Sequence, residues 1–498
     1  MEKNHVFRTS FTSEKKARLI HGAPHGATHQ PRIRKEAKTR IQVPQSKETI
    51  KGPVSQQTKS GNVKGPRDGD DPVVFVTYTP QDRPKNTSIV DNYPPDPSGD
   101  DSEPGVILQT GNDYIRYSND NGLTFVMLAN TDVIDNRFAG GENGDQVMLF
   151  VPAINCFVWY LQYVADPASK DGAFRIALAK LSDLTGKVKD VWNVFDFHSS
   201  DFGLPGIDFD YPDIAATGSF LYASTGAEGK GRIFVRFPLK DLFAGSVKGE
   251  YTPPLSIDST NVDTDSLRFA HFCQGAGDRG IWAGHIDNSK LRIYEWPDSG
   301  ALGTHDVSTV TWPNPDPTDY SSVCKNSVDW LSEGGDAEVS ALVRRSDELW
   351  LAWTASRGAA TPSSFKYPQP HVRVATVRMS DWTETAEMQV WNPDYAFAFP
   401  DLNVNHRGDV AIAVAFGGPK DFADAAFGIL GDFVVWYENA SNTALTRWGD
   451  YVTVRPCRRN ANWFVGFGYY TLRDITVFNV GAYQRPYCVM FARKSDTP

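Results

Sequence analysis

From about residue 71 onward, short apolar and aromatic runs recur with turn residues between them, and this pattern most constrains the fold. VVFVTY (73–78), GVILQTG (105–111), DYIRYS (113–118), QVMLFV (146–151) and FVWYLQYV (157–164) are the first of them. FLYAS (220–224), RIFVRF (232–237), LRIYEW (291–296), ELWLAWT (348–354), DVAIAVAFG (409–417) and YCVMFAR (487–493) continue the series. Runs of this length, rich in Val, Ile and aromatics and bounded by Gly, Pro, Asn and Asp, read as β-strands. The 41 Gly and 32 Pro suit many short strands joined by turns. A 3.6-residue apolar period is rare, and DFADAAFGIL (421–430) is the best expectation of a helix.

The runs are organised in larger units. Segments starting near 144, 211, 269, 337, 399 and 449 share one plan. An acidic or His residue, often in a Tyr/Phe-Pro-like context, leads into a strand, a polar turn and an aromatic-rich strand. Successive starts lie roughly 50–70 residues apart, the length of one four-stranded propeller blade. A seventh unit surrounds residues 113–128. The expected fold is all-β: a single β-propeller of about seven four-stranded blades over 71–498, six or eight also being compatible, behind a disordered N-terminal tail over 1–70. VVFVTY would close the ring on the last blade, because an open ring leaves a long strand edge exposed.

The seventh unit carries the most specific motif. Residues 118–125 read Ser-Asn-Asp-Asn-Gly-Leu-Thr-Phe. Gly122 can supply a positive φ, and Asp120 can bond amides within the turn. Thr124 and Ser118 can tie the flanking strands, and Phe125 can pack between blades. The octet resembles the Asp box, S-x-D-x-G-x-[TS]-[WF], of the bacterial neuraminidase (BNR) repeat. The resemblance implies a sialidase-like propeller in which the box lies on an outer hairpin, away from any active site. Two departures stand against a sialidase activity. The box occurs once, and the nearest relative of the family's Phe/Tyr-Arg-Ile-Pro motif, Phe174-Arg175-Ile176-Ala177, lacks the Pro and follows the box. The stretch Arg447-Trp448-Gly449-Asp450-Tyr451 also resembles secreted propellers of this type.

Charge divides the chain. Residues 1–70 hold 15 Lys and Arg against 6 Asp and Glu, whereas the remainder holds 35 against 54. An acidic body repels phosphates, so no nucleic acid is expected on the propeller itself. The tail is poor in aromatics and too polar to offset the entropy of ordering. It is expected to act as a solvated arm, a docking or export address, or a polyanion contact. Five unclustered cysteines, Cys156, Cys273, Cys324, Cys457 and Cys488, argue against a disulfide framework or a zinc site. No run approaches a membrane span, and the N-terminus lacks the apolar core of a Sec signal. The location expected from this is cytoplasmic, or outside by a non-Sec route.

In a propeller the innermost strands converge on the axis, and ligands sit at one mouth of the tunnel. The inner-strand starts are expected at Asp145, Asp213, His271, Glu338, Asp401 and Asp450. Either these groups cap strand starts, or crowded carboxylates raise one another's pKa and serve acid–base chemistry of the kind glycoside hydrolysis uses. Clustered carboxylates would also take Ca²⁺. Tyr211, Arg268, Trp330, Trp448 and Tyr451 are the expected substrate-binding residues, with the aromatics exposed to stack on sugar rings. His271, His285, Arg268, Arg279 and Tyr211 would be the set for a polysaccharide lyase. The function expected first is a glycan-binding or glycan-processing propeller. The alternatives are a non-catalytic protein-interaction propeller addressed by its basic tail, and a lyase or glycoside hydrolase.

Overall fold

The computed structural model describes residues 71–497 except 72, 83–93, 95, 135–136, 258–266, 268–269, 312–319, 333–336, 360–365, 432–433, 436–447 and 475–480. From the first seventy it describes Thr9–Ser10, Lys15–Lys16, Arg18–Leu19 and Val54–Gln57.

Seven antiparallel blades form one propeller. Blade 1 comprises Ser98–Asp101, Ile107–Gly111, Tyr114–Ser118 and Val126–Ala129. Blade 2 comprises Glu142–Val151, Cys156–Tyr163, Ala173–Lys180 and Asn193–His198. Blade 3 comprises Phe209–Ala216, Phe220–Ala227, Gly231–Pro238 and Glu250–Tyr251. Blade 4 has three paired strands, Arg279–Asp287, Lys290–Pro297 and Gly303–Ser308. The short strand Cys273–Gln274 that precedes them pairs instead in parallel with Leu342–Val343 of blade 5. Blade 5 is Val339–Arg345, Glu348–Ala355, His371–Arg378 and Thr383–Trp391. Blade 6 is Ala396–Val404, Val410–Gly418, Asp421–Ile429 and Val434–Val435. Blade 7 is Thr453–Pro456, Phe464–Asp474, Gly481–Arg493 and, as its outermost strand, Val73–Pro80. That last pairing, Arg493 facing Val73 through Tyr487 facing Pro80, closes the ring as the sequence led us to expect.

The apolar core is divided among the seven interfaces between neighbouring blades, with one cluster at each. Blades 3 and 4, for example, meet through Phe234 and Trp282, stacked at 3.9 Å, with Tyr294, the cross-strand partner of Trp282, parallel to it at 5.5 Å. Both faces of a blade are thus covered, and each large side chain buried there contributes about 1.5–3 kcal/mol.

That double burial corrects the helix expectation. Residues 421–430 contain the third strand of blade 6, Asp421–Ile429. Ala423, Ala425, Phe427 and Ile429 face blade 7, and Ala426 between them faces blade 5. Alternation is present, but both alternate faces are apolar, so the period-2 signal vanishes from the sequence.

The basic tail is not free of strands. Thr9–Ser10 pairs with Glu250–Tyr251 of blade 3, and Lys15–Lys16 pairs with Ser246–Val247. Arg18–Leu19 pairs with Asn193–Val194 of blade 2, and Val54–Gln57 runs parallel to Met388–Trp391 of blade 5. Lys15 Nζ lies 2.7 Å from a carboxylate oxygen of Asp201. The tail histidines His5, His21, His25 and His29 lie outside the described residues. All five cysteines are buried free thiols, and no described helix is long and apolar enough to cross a membrane.

Candidate functional site

The inner strands are kinked where they approach the axis. In blade 3 a bulge falls between Asp210 and Asp213, and in blade 6 between Ala398 and Asp401. Each bulge contains an aromatic residue with positive φ followed by Pro and Asp: Tyr211 at 55° and Phe399 at 53°. Bulky L-residues avoid this region, and holding one there costs about 1–3 kcal/mol. Blade 2 makes the same kind of bulge between Glu142 and Gln146 with Gly144 at 96°, just ahead of Asp145. The three devices turn an acidic residue at equivalent places on three blades.

They contribute to an axial cavity that draws lining from all seven blades. Asp213, His271, Asp401, Asp450, Tyr451 and Arg455 supply its chemistry, and Ser98, Val147 and Ser340 complete the ring. Among the six expected inner-strand positions, Asp213, His271, Asp401 and Asp450 therefore meet at one place. Asp145 lies near enough to act on the Tyr451 hydroxyl, and Glu338 near enough to act on Arg232. The cavity encloses about 30 Å³, room for one or two waters.

The carboxylates are not idle. Asp213 Oδ2 accepts the Phe272 amide of the next blade at 2.6 Å. Asp401 accepts the Val454 amide of blade 7 at 2.8 Å, the Arg455 guanidinium at 3.0 Å and its own Leu402 amide at 2.9 Å. Asp96 Oδ1 accepts the Asp450 amide at 2.8 Å. In blade 1, Asp100 accepts Phe150 of blade 2 at 2.9 Å, and Asp101 accepts Arg458 of blade 7 at the same distance. The capping expected from sequence is therefore mainly between blades: a carboxylate on one inner strand satisfies an amide on its neighbour.

Burial sets the electrostatics. It pushes the Asp213 carboxyl up to about 7, against the opposing pull of the Phe272 amide, Arg232 and Arg455, while Asp401 adds to the rise. Asp401 is also raised, chiefly by burial and in spite of Arg455. Burial and then the carboxylates of Asp145, Asp450 and Asp96 hold the Tyr451 hydroxyl well above its usual range. The Tyr451 ring lies parallel to His271, centroids 5.5 Å apart. The cavity thus brings together a carboxyl raised to about 7, a second raised carboxyl that accepts the Arg455 guanidinium, and a phenol held well above its usual range.

The aromatic expectations need correction. Trp330 is fully buried, and Trp448 is 3% exposed and stacked on Tyr469 at 4.1 Å. Both belong to the cluster between blades 6 and 7. Tyr211 is buried between blades 3, 4 and 5. None is an exposed platform, because each fills space that a neighbouring blade would otherwise leave empty. Tyr451, also buried, reaches the cavity. Arg268 lies outside the described residues.

Of the described residues in the lyase set, His271 lines the cavity and His285, Arg279 and Tyr211 do not. His285 is buried against Trp353, and burial depresses its pKa to about 3. Arg279 pairs with Asp278 and Glu295 at the edge of blade 4. Among the described residues, no three His, Cys, Asp or Glu side chains are grouped to hold a metal ion. Of the carboxylates expected to take Ca²⁺, Asp213 and Asp401 each accept a backbone amide of an adjacent blade.

Sequence reading missed Arg455 and Asp96. It also missed a repeated Arg on the strand before the last of its blade: Arg116, Arg175, Arg232, Arg292 and Arg373. In three blades this Arg bridges to an acid on the strand that follows. The pairs are Arg175–Asp196 at 2.6 Å, Arg292–Asp306 at 2.7 Å and Arg373–Glu387. The strings FRI, LRI and VRV carried the signal in phase with the blades. Arg175 serves its own blade, which agrees with leaving it out of any ligand grip.

The Ser118–Phe125 turn joins the third and fourth strands of blade 1. Ser118 Oγ donates to Asp120 at 2.8 Å and accepts the Gly122 amide at 2.9 Å. Asp120 accepts the Thr124 amide at 2.9 Å and its hydroxyl at 2.5 Å. Phe125 packs into the cluster between blades 1 and 7, with the Arg116 guanidinium 4.0 Å from its ring centre.

These features define a seven-bladed β-propeller with a polar axial cavity. No protein-family model and no curated protein sequence matches the chain. Solved propellers resemble it in fold. The Pan2 WD40 domain of Neurospora crassa is 11% identical, covering 85% of this chain and 96% of its own, with a TM-score of 0.41. A fungal alcohol oxidase in complex with copper is 10% identical, covering 81% and 75%, with a TM-score of 0.43. The sialidase of Trypanosoma rangeli in complex with sialic acid is 10% identical, covering 74% and 59%, with a TM-score of 0.35. At such values the likeness reaches the architecture alone.

Proposed function

We propose that the chain is a carbohydrate-directed propeller that grips one hydroxylated terminus of a glycan over the axial cavity. The observation that carries this reading is the pairing of Asp213, poised near 7, with the Asp401–Arg455 ion pair on the same small cavity. A carboxyl that is half protonated can both donate to and accept from a hydroxyl, and an ion-paired carboxylate is a fixed acceptor. The cavity admits a hydroxyl or hydroxymethyl group and not a whole ring, so the remainder of the sugar would rest on the mouth. Arg455 is the arginine of the lining and is committed to Asp401, so the reading does not extend to a sialic-acid carboxylate. The hydrogen bonding of the Ser118–Phe125 turn supports placing the chain among Asp-box propellers.

A second reading has its own support. Asp213 and Asp401 already staple blades together, which favours a non-catalytic interaction propeller. A glycan array on the full chain, run with Asp213→Asn and Asp401→Asn beside the wild type, separates the two. Binding that disappears in either variant while its melting transition persists supports the glycan site. No binding by the wild type, or loss of melting temperature without loss of binding, overturns it.

A further inference from the structure

A second cavity lies far from the axis, between the outer hairpin of blade 1 and the 181–192 connection of blade 2. It measures about 380 Å³, within the range of small-molecule sites. Tyr117, Val126, Leu128 and Val188 form its apolar walls, and Lys187 and Lys189 stand among its lining residues.

Both walls are held in place. The Tyr117 hydroxyl donates to the Leu184 carbonyl and accepts the Gly186 amide at 3.0 Å, fixing the connection to the hairpin. Trp192 Nε1 donates to the Val188 carbonyl at 2.9 Å. The hairpin is locked from within by Ser118, Asp120 and Thr124. A preformed wall lowers the ordering cost of binding.

The surface around it is unusual for this protein. Val126 is 58% exposed and Leu123, in the same hairpin, 65%. They belong to the few large apolar side chains that face water among the described residues. On a body with a large acidic excess, two neighbouring lysines beside an apolar hollow select for the opposite charge. Of the carboxylates close to this segment in the chain, Asp120 accepts Thr124, Asp183 accepts the Ser182 hydroxyl at 3.1 Å, and Asp190 follows Lys189 directly.

We infer that this pocket binds a small amphipathic acid, its apolar body against Tyr117, Val126, Leu128 and Val188 and its carboxylate paired with Lys187 and Lys189. The site is separate from the axial cavity and does not depend on its role. The test is calorimetric titration of the full chain with octanoate, and with octanol as the uncharged control. Octanoate should bind with a dissociation constant near or below about 1 mM. The Lys187→Ala/Lys189→Ala double variant should weaken octanoate about ten-fold, equivalent to about 1.4 kcal/mol, and leave octanol unchanged. Val126→Asp, at an exposed position, should weaken both. Absence of saturable octanoate binding overturns the inference. So does equal affinity for octanoate and octanol in the wild type, or octanoate binding that Val126→Asp leaves untouched.

Discussion

Replacing Asp213 by Asn should make the protein's stability less dependent on pH, and the direction is opposite to that of an ordinary salt-bridged aspartate. The folded-state carboxyl sits at about 7, against 3.8 for an unperturbed Asp, because it is buried. Between those values the unfolded chain releases its proton while the folded chain keeps it. The folded state then binds more protons, so stability falls as pH rises through this window. The slope is about 1.4 kcal/mol per pH unit, which accumulates to roughly 4 kcal/mol by pH 8. Below about pH 4 both states are protonated and the penalty disappears. Asn keeps an acceptor for the Phe272 amide, bonded at 2.6 Å in the wild type, and cannot ionise. Urea denaturation of both proteins from pH 4 to 8 measures the difference. Asp213→Asn should gain on the wild type steadily between pH 4 and 7 and level off above. A difference that is flat across that range, or that moves toward the wild type as pH rises, would refute the buried-acid argument.

Asp401→Ala should cost about 3–5 kcal/mol, since it leaves Arg455 without its carboxylate inside the ring; Asp401→Asn, which can still accept the Val454 amide, should cost visibly less in the same denaturation experiment. Equal losses would show that the charge is immaterial. Asp120→Ala removes the acceptor of both Thr124 bonds and should cost about 1 kcal/mol, read as a small drop in melting temperature with glycan binding unaltered. Lys170 is exposed at φ 65°, so Lys170→Gly should stabilise by about 0.5–1 kcal/mol through relief of the left-handed conformation; a melting temperature that falls would contradict that account.

The blades were legible because their strands alternate with strong turn residues. All seven units, and the closing strand at Val73–Pro80, appear where the sequence places them. What the sequence hid has a physical cause in each case. Asp421–Ile429 read as a helix because both of its faces are buried and Ala-rich. Trp330 and Trp448 read as platforms because sequence cannot distinguish an aromatic at a tunnel mouth from one wedged between blades. The carboxylates at the axis were found by their common position in the repeat. Their partners were not, because an amide donor such as Phe272 N or Val454 N belongs to the next blade and leaves no mark on side-chain chemistry. Arg455 was invisible for a similar reason: its partner Asp401 is 54 positions away in the chain.

Closure of the ring by its first strand is what brings distant acids to one axis. Thr79 faces Cys488 directly in that seam, and directly opposed antiparallel residues lie within disulfide reach. Thr79→Cys, oxidised and digested, should yield a single linked pair of peptides spanning this strand and the native Cys488, with a raised melting temperature. Recovery of both thiols unlinked from the folded variant, or a link from the introduced thiol to any other cysteine, would contradict the closed seven-bladed ring.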